Sequence, residues 1–187
     1  MQPHLICLDL DGTLLNDNKE ISSYTKQVLN DNHDPRLFEG FSMGNPRIQT
    51  GNLLVHLKES PTSILIEAEE SKIPEIKNML THFYADHIEH RRWGAPFPVI
   101  EIVKLGINKA RGIEQVRQFL NIDRNNIIAF GDEDNDIEMI EYARHGVAME
   151  NGLQELKDVA NNITFNNEDG IGRYLNDFFN LNIRYYC

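Results

Sequence analysis

The sequence predicts an α/β fold with a Rossmann-like parallel sheet core. Three observations carry this. Leu5-Ile6-Cys7-Leu8 is an unbroken apolar run, the pattern of a strand buried on both faces by covering helices. From residue 105 onward, strand and helix patterns alternate, which implies βαβ units with right-handed crossovers. Two acidic clusters directly follow strand ends, where open α/β sheets bind ligands.

The elements follow in order. The first strand runs into Asp9-Leu10-Asp11-Gly12-Thr13, which is loop chemistry. Ser22 or Ser23 can cap a short helix through Asn30. The stretch Asp31 to Gly51 holds three glycines and two prolines and keeps no period, so it reads as irregular. Leu53-Leu54-Val55 and Ile64-Leu65-Ile66 read as strands. Ser71 is placed to cap a helix with Ile73, Ile76, Met79, Leu80 and Phe83 on one face, and Pro74 falls in the tolerated first turn. A strand follows at Val99 to Val103. Next come a helix from Lys109 to Leu120 with Ile113, Val116 and Phe119 inward, a strand Asn126 to Phe130, and a helix Ile137 to Tyr142. The pattern closes with a strand Val147 to Met149, a helix Leu153 to Ala160, a strand Ile163 to Phe165 and a helix Ile171 to Phe179. A core of 1–30 plus 101–187 is expected, with 31–100 inserted between its two parts.

Composition narrows the function. A net charge of −11 argues against nucleic-acid binding, which calls for a basic face. It also repels phosphorylated substrates, so a phosphate site here needs a local cation. Two cysteines are too few for a disulfide framework and fit a reducing, cytoplasmic compartment. No apolar run is long enough to span a membrane, and no signal peptide is expected.

The chemistry-bearing residues are Asp9 and Asp11 after the first strand, and Asp132 to Asp136 after the strand ending at Phe130. If those strands are neighbours, the carboxylates converge and repel unless a cation neutralises them. A hard cation with oxygen ligands, Mg²⁺ first, is the natural partner. Each cluster alone has a plainer reading. Asp-Gly is ordinary turn chemistry, and acids are favoured at a helix N-terminus. An EF-hand fails, because the sixth loop position is Ile137 and the twelfth Ala143, where Gly and Glu are needed. Lys109 begins a helix, where a cation is electrostatically unfavourable. A surface lysine tolerates that position, whereas beside a bound phosphate the helix end and the ammonium would both favour the anion.

Taken together, Asp9-Leu10-Asp11-Gly12-Thr13-Leu14-Leu15, Asn108-Lys109 and Gly131-Asp132-x-x-Asn135-Asp136 resemble the haloacid dehalogenase superfamily, and within it the Cof-type phosphatases with a large α/β cap. Val147-Ala148-Met149-x-Asn151 and Asn166-Asn167-x-Asp169-Gly170 are similar to that family's C-terminal half. The resemblance implies a Mg²⁺-dependent phosphatase acting on small phosphorylated metabolites, such as sugar phosphates or phosphorylated cofactors. Asp9 would be the nucleophile, forming an aspartyl-phosphate, and Asp11 the acid and base. Mg²⁺ would be held by Asp9, the backbone carbonyl of Asp11, and Asp132, with Asp136 in support. Lys109, Asn135 and Gly12 would serve the phosphate.

The sequence departs from the family in one respect. The family's Ser or Thr followed by Gly-Arg is absent, and the chain passes from Asn30 directly to Asp31 where further core units would stand, as though a segment were deleted. Thr50-Gly51-Asn52 and Ser42-Met43-Gly44 are weak substitutes. Missing strands would leave apolar faces uncovered and call for homo-oligomerisation. Two other functions stay open: an inactive remnant that binds Mg²⁺ and phosphate or a partner, and a phosphotransferase or mutase of the same superfamily. The resemblance makes 31–100 an inserted, truncated α+β cap, in which Arg91, Arg92 and Trp93 read as a substrate contact or a solvated edge, and His82, His87 and His90 as surface histidines.

Overall fold

The computed structural model describes residues 4–30, 60–92 and 98–184. The expected irregular stretch, the strand at Leu53–Val55, both substitute phosphate motifs and Trp93 lie outside these residues. The chain divides into two compact units, Met1–Pro35 with Asn108–Cys187, and Arg36–Ile107.

The first unit holds β1 (Leu5–Leu8), α1 (Ser23–Asn30), α3 (Lys109–Leu120), β5 (Ile127–Gly131), α4 (Ile137–Tyr142), β6 (His145–Met149), α5 (Gln154–Val159), β7 (Asn162–Thr164) and α6 (Gly170–Phe179). The second holds β2 (Ser63–Glu67), α2 (Ile73–Tyr84), β3 (Ile88–Arg92) and β4 (Val99–Lys104). Since β4 belongs wholly to the second unit, the division falls at 107/108 and not at 100/101.

The core sheet has the order β1-β5-β6-β7 and is parallel throughout. Leu5 pairs with Ile127 and Leu8 with Phe130, so the two acidic segments leave the sheet side by side. Every residue of β5 is buried, and its side chains alternate between two layers. Ile128 and Phe130 join Val28, Leu29, Ile171 and Leu175 of α1 and α6. Ile127 and Ala129 face Ile113, Met139, Ile140 and Leu156 of α3, α4 and α5. Helices therefore cover both faces, as unbroken apolar strands require. Ser22 caps α1 by accepting from the Thr25 amide at 3.0 Å.

The second unit is an antiparallel sheet of order β2-β4-β3, with Ile73 and Leu80 of α2 packed on Ile100 and Ile102. Several expectations change here. Ser71 does not cap α2, because it sits inside a 3-10 turn at Glu70–Lys72 that leads into the helix. Met79 and Phe83 are exposed, not core. The strand β3 has no counterpart in the sequence reading, since Ile88-Glu89-His90-Arg91-Arg92 shows no alternation of apolar and polar residues. Within it Arg92 pairs with Glu70 at 2.8 Å, and His90 shares a 2.9 Å hydrogen bond with Thr81. In the first unit, Val116 and Phe119 point outward and only Ile113 of that set is buried.

Phe130 is fully buried at the centre of the core sheet. Truncation to Ala is expected to destabilise the chain by about 3–5 kcal/mol, measured by urea unfolding.

Candidate active site

The site forms where β1 and β5 end side by side. Asp9 follows β1, and its amide donates to the Phe130 carbonyl at 3.1 Å, which continues the sheet register by one residue. The chain then turns back, with the Leu14 amide bonded to the Asp9 carbonyl and the Leu15 amide to that of Leu10. That turn needs Gly12, whose φ is +81°. A Cβ there would meet Asp132 Oδ2 at 2.2 Å. Beyond its expected phosphate role, Gly12 therefore lets the first acidic loop lie against the second.

Asp132 precedes, and Asp136 ends, the 3-10 turn Asp134–Asp136 that follows β5. Asp136 is fully buried, and its Oδ2 accepts from the Asp132 amide at 3.0 Å and the Glu133 amide at 3.2 Å. Gly131 makes room for it, because a Cβ there would meet the Asp136 Cβ at 2.5 Å. Asp132 is nearly buried, and its Oδ1 accepts from the Thr13 hydroxyl at 2.6 Å.

Lys109 is the first residue of α3, and Asn108 caps that helix by accepting from the Arg111 amide at 2.9 Å. The Lys109 ammonium donates to Asp9 Oδ1 at 2.5 Å and to Asp136 Oδ1 at 2.6 Å. Two carboxylates thus offset its unfavourable place at a helix N-terminus. Asp9 and Lys109 both remain partly open to solvent.

Oxygens of Asp9, Asp132 and Asp136 all lie within 4.8 Å of one another. Burial, with the neighbouring Asp136 and Asp11 charges adding to it, raises the Asp9 pKa against the opposing Lys109 contact. Burial also pushes Asp132 up to about 6, helped by Asp9, Asp136 and Glu133 and opposed by the Thr13 hydrogen bond. Burial alone would lower Lys109, but Asp136 and Asp9 outweigh it and hold the ammonium above its ordinary value. Three crowded carboxylates with one ammonium form a donor set suited to a hard divalent cation.

Not every expected residue joins this set. The Asp11 carboxylate is absent from the triad and instead pairs with Lys19 at 2.6 Å. Its expected contribution to a cation was through the backbone carbonyl. Asn135 lies in the 3-10 turn, and its Oδ1 is buried without a hydrogen-bond partner among the described residues. Cys7 is a bystander, since burial pushes its thiol up to about 12. Sequence reasoning quoted two supporting residues within motifs but gave neither a role. Thr13 holds Asp132, and Asn151 donates to the Gly12 carbonyl at 3.0 Å and to Asp132 Oδ2 at 3.5 Å. The available signal was position, because Asn151 follows the end of β6, which neighbours β5 in the sheet.

A family model for haloacid dehalogenase-like hydrolases matches residues 6–54 and 30–175. Among curated proteins, the chain is 46% identical over 150 residues to the 5-amino-6-(5-phospho-D-ribitylamino)uracil phosphatase YitU of Bacillus subtilis, covering 80% of this chain and 56% of the relative. It is 28% identical over 235 residues to YcsE of the same organism, which carries the same activity name, covering 90% of this chain and 93% of YcsE. The chain thus spans little more than half of YitU. Among solved structures, a haloacid dehalogenase-like hydrolase from Bacteroides thetaiotaomicron matches with a TM-score of 0.75 at 22% identity, over 94% of this chain and 99% of that one. TM0651 from Thermotoga maritima matches with a TM-score of 0.74 at 21% identity, over 100% of this chain and 99% of that one. At these identities the structures speak for the fold alone.

Two outcomes are expected from this geometry. Gly12→Ala forces the two acidic loops apart, so it should lower the thermal midpoint and abolish its rise on adding Mg²⁺, read by a thermal-shift titration. The second concerns pH. The folded-state pKa of Asp132 lies above its ordinary 3.8, at about 6. The folded chain therefore holds that proton more tightly than the unfolded chain does, and stability falls as pH rises through this window. In chelator, Asp132→Asn should match the parent near pH 4 and exceed it by roughly 1–2 kcal/mol above pH 7, after allowance for partial solvent screening. Urea unfolding across that range measures the difference.

Proposed function

The chain belongs to the haloacid dehalogenase-like hydrolases, and from that membership we propose that it is a Mg²⁺-dependent phosphomonoesterase working through an aspartyl-phosphate on Asp9. The observation that carries this reading is the Lys109 ammonium bridging Asp9 and Asp136, with Asp132 beside them at the carboxyl end of the sheet.

Each residue has a task that its position allows. Asp9 is partly open to solvent, as a nucleophile that meets a substrate must be. Lys109 steers that carboxylate and offers its charge to the phosphoryl oxygens. Asp132 and Asp136 would hold the cation together with Asp9, and the buried Asp136 also fixes Lys109. Bound there, Mg²⁺ supplies neutralisation of charge between the carboxylate nucleophile and the phosphoryl group. Thr13 and Asn151 keep Asp132 in place, so the cation ligands remain set when the site is empty of substrate. Asp11 stands outside this cluster, and would exchange a proton with the leaving alcohol and then with the attacking water.

The substrate class we infer is a small phosphorylated metabolite. YitU, YcsE and a third relative, YwtE, are all named for an aminouracil bearing a phosphorylated ribityl chain, which makes that phosphomonoester the first compound to assay. A second reading, binding of cation and phosphate without turnover, is favoured by the absence of a Ser or Thr followed by Gly-Arg.

Turnover separates the two. The parent chain is expected to hydrolyse p-nitrophenyl phosphate with Mg²⁺, to stop in excess chelator, and to lose at least about 1,000-fold on Asp9→Asn. A folded sample that turns over no phosphomonoester in Mg²⁺ supports the binding-only reading instead.

A further inference from the structure

One side of β1 has no neighbour. The core sheet runs β1-β5-β6-β7, so among the described residues β1 pairs with β5 on one side and with no strand on the other. An open edge is a row of amides and carbonyls ready to pair with another strand. Proteins ordinarily guard it with shortness, charge, proline or a bulge. The opposite edge, β7, is three residues long. The β1 edge carries no such guard. Leu5-Ile6-Cys7-Leu8 holds no charge and no proline, and its register runs from Leu5 opposite Ile127 to Leu8 opposite Phe130 without a bulge. The composition is that of a strand covered on every side. Its residues are nonetheless only half-buried, whereas those of β5 are all buried.

The backbone shows which groups this edge offers. The Asp9 amide donates to the Phe130 carbonyl, so the backbone groups of Asp9 point toward β5. By the two-residue alternation of a strand, those of Cys7 and Leu5 do the same. The amides and carbonyls of Ile6 and Leu8 therefore point to the open side.

The first unit has little left with which to cover them. Its residues outside the description are 1–3, 31–35 and 185–187. The longest of these is Asp-Asn-His-Asp-Pro, made largely of types depleted in strands. The relatives differ at this place. The match to YcsE extends over 235 residues, more than the 187 of this chain, so part of YcsE faces a gap inside it. The family model meets the chain in two pieces that overlap at 30–54. The break thus follows α1, where a βαβ unit would bring its next strand back to the sheet.

We propose that the open edge of β1 pairs with the same edge of a second copy of this chain, antiparallel and centred on Cys7, so that two core sheets join into one. A two-fold axis maps an edge onto itself, and a second copy always brings an open edge of matching length. The register follows from the exposed groups. Opposed residues of an antiparallel pair exchange both of their hydrogen bonds only when both point across the junction. Setting Ile6 opposite Leu8 of the second copy, and Leu8 opposite its Ile6, uses every outward group of the strand. Cys7 then lies opposite Cys7 of the second copy. The net charge of −11 opposes association at long range, but the strand itself is uncharged and salt at 0.1 M screens beyond about 10 Å. The pairing concerns the sheet edge and does not depend on the phosphatase reading.

Two measurements on the full chain test this. Sedimentation equilibrium is expected to give twice the 21.6 kDa chain mass. Amide hydrogen exchange read by NMR locates the contact. The Ile6 and Leu8 amides should be protected in the dimer and lose that protection on dilution, while the Cys7 amide stays protected by the β1–β5 ladder. Ile6→Pro removes one outward amide and spares the bonds to β5, a substitution that edge strands tolerate. It should yield a single-chain mass with the Cys7 amide still protected. A single-chain mass for the parent at every concentration overturns the proposal, and so does protection of Ile6 and Leu8 in a single chain, which would mean that the chain covers its own edge. A dimer in which those two amides exchange freely also overturns it, since another face would then be the contact. If Ile6→Pro fails to fold, mass and exchange of the parent still decide.

Discussion

Repulsion among three carboxylates governs how the first unit is built. Two unit charges 4.8 Å apart repel by roughly 3–4 kcal/mol at an effective dielectric of about 20. Asp9, Asp132 and Asp136 make three such pairs, with a single ammonium between them. The fold tolerates this because each acid has been given a local donor. Asp136 takes two backbone amides and Lys109, Asp132 takes the Thr13 hydroxyl, and Asp9 takes Lys109. The remaining excess of negative charge, which adds to burial in raising the pKa values of Asp9 and Asp132, is what a divalent cation would relieve.

The parallel sheet makes that crowding unavoidable. Register between β1 and β5 sets Leu8 opposite Phe130, so the chains leaving both strands emerge at one level. Helices on both faces leave the strand ends as the place where polar side chains can gather. Glycines at 12 and 131 then remove the side chains that would keep the acids apart. Lys109 arrives from a third direction, at the head of α3, and couples Asp9 to the buried Asp136. Fold and chemistry therefore share one constraint. The residues that bring charge together are the ones that the sheet geometry and the glycines allow to meet.

Much of this was legible in the sequence. The unbroken apolar runs at 5–8 and 127–130 identified two parallel strands, and the acidic segments after them located the candidate site; only β5 is fully buried, whereas β1, expected to be covered on both faces, is half-buried because it stands at the end of the sheet order among the described residues. The limits of α3 and α4 coincide with their apolar period, and Asn108 has the side chain of a helix cap. What was not legible has physical causes. Periodicity marks the apolar face of α3 but does not guarantee a surface to cover it, so Phe119 is 88% exposed. Ser71 has a capping side chain, yet the 3-10 turn moves the helix start past it. The strand β3 is made by pairing with β4 and not by its own composition. Thr13 and Asn151 reach Asp132 through contacts between segments far apart in the chain, which one-dimensional spacing does not record.

The central claim is that the Asp9, Asp132 and Asp136 cluster is a divalent-cation site bridged to Lys109. Calorimetric titration of the full chain with Mg²⁺ tests it most directly, with Asp136→Asn as the comparison and circular dichroism to establish that both are folded. The account predicts one Mg²⁺ per chain for the parent and no measurable binding to the variant. A folded parent that binds no Mg²⁺, or an Asp136→Asn chain that binds it as tightly as the parent, would contradict it.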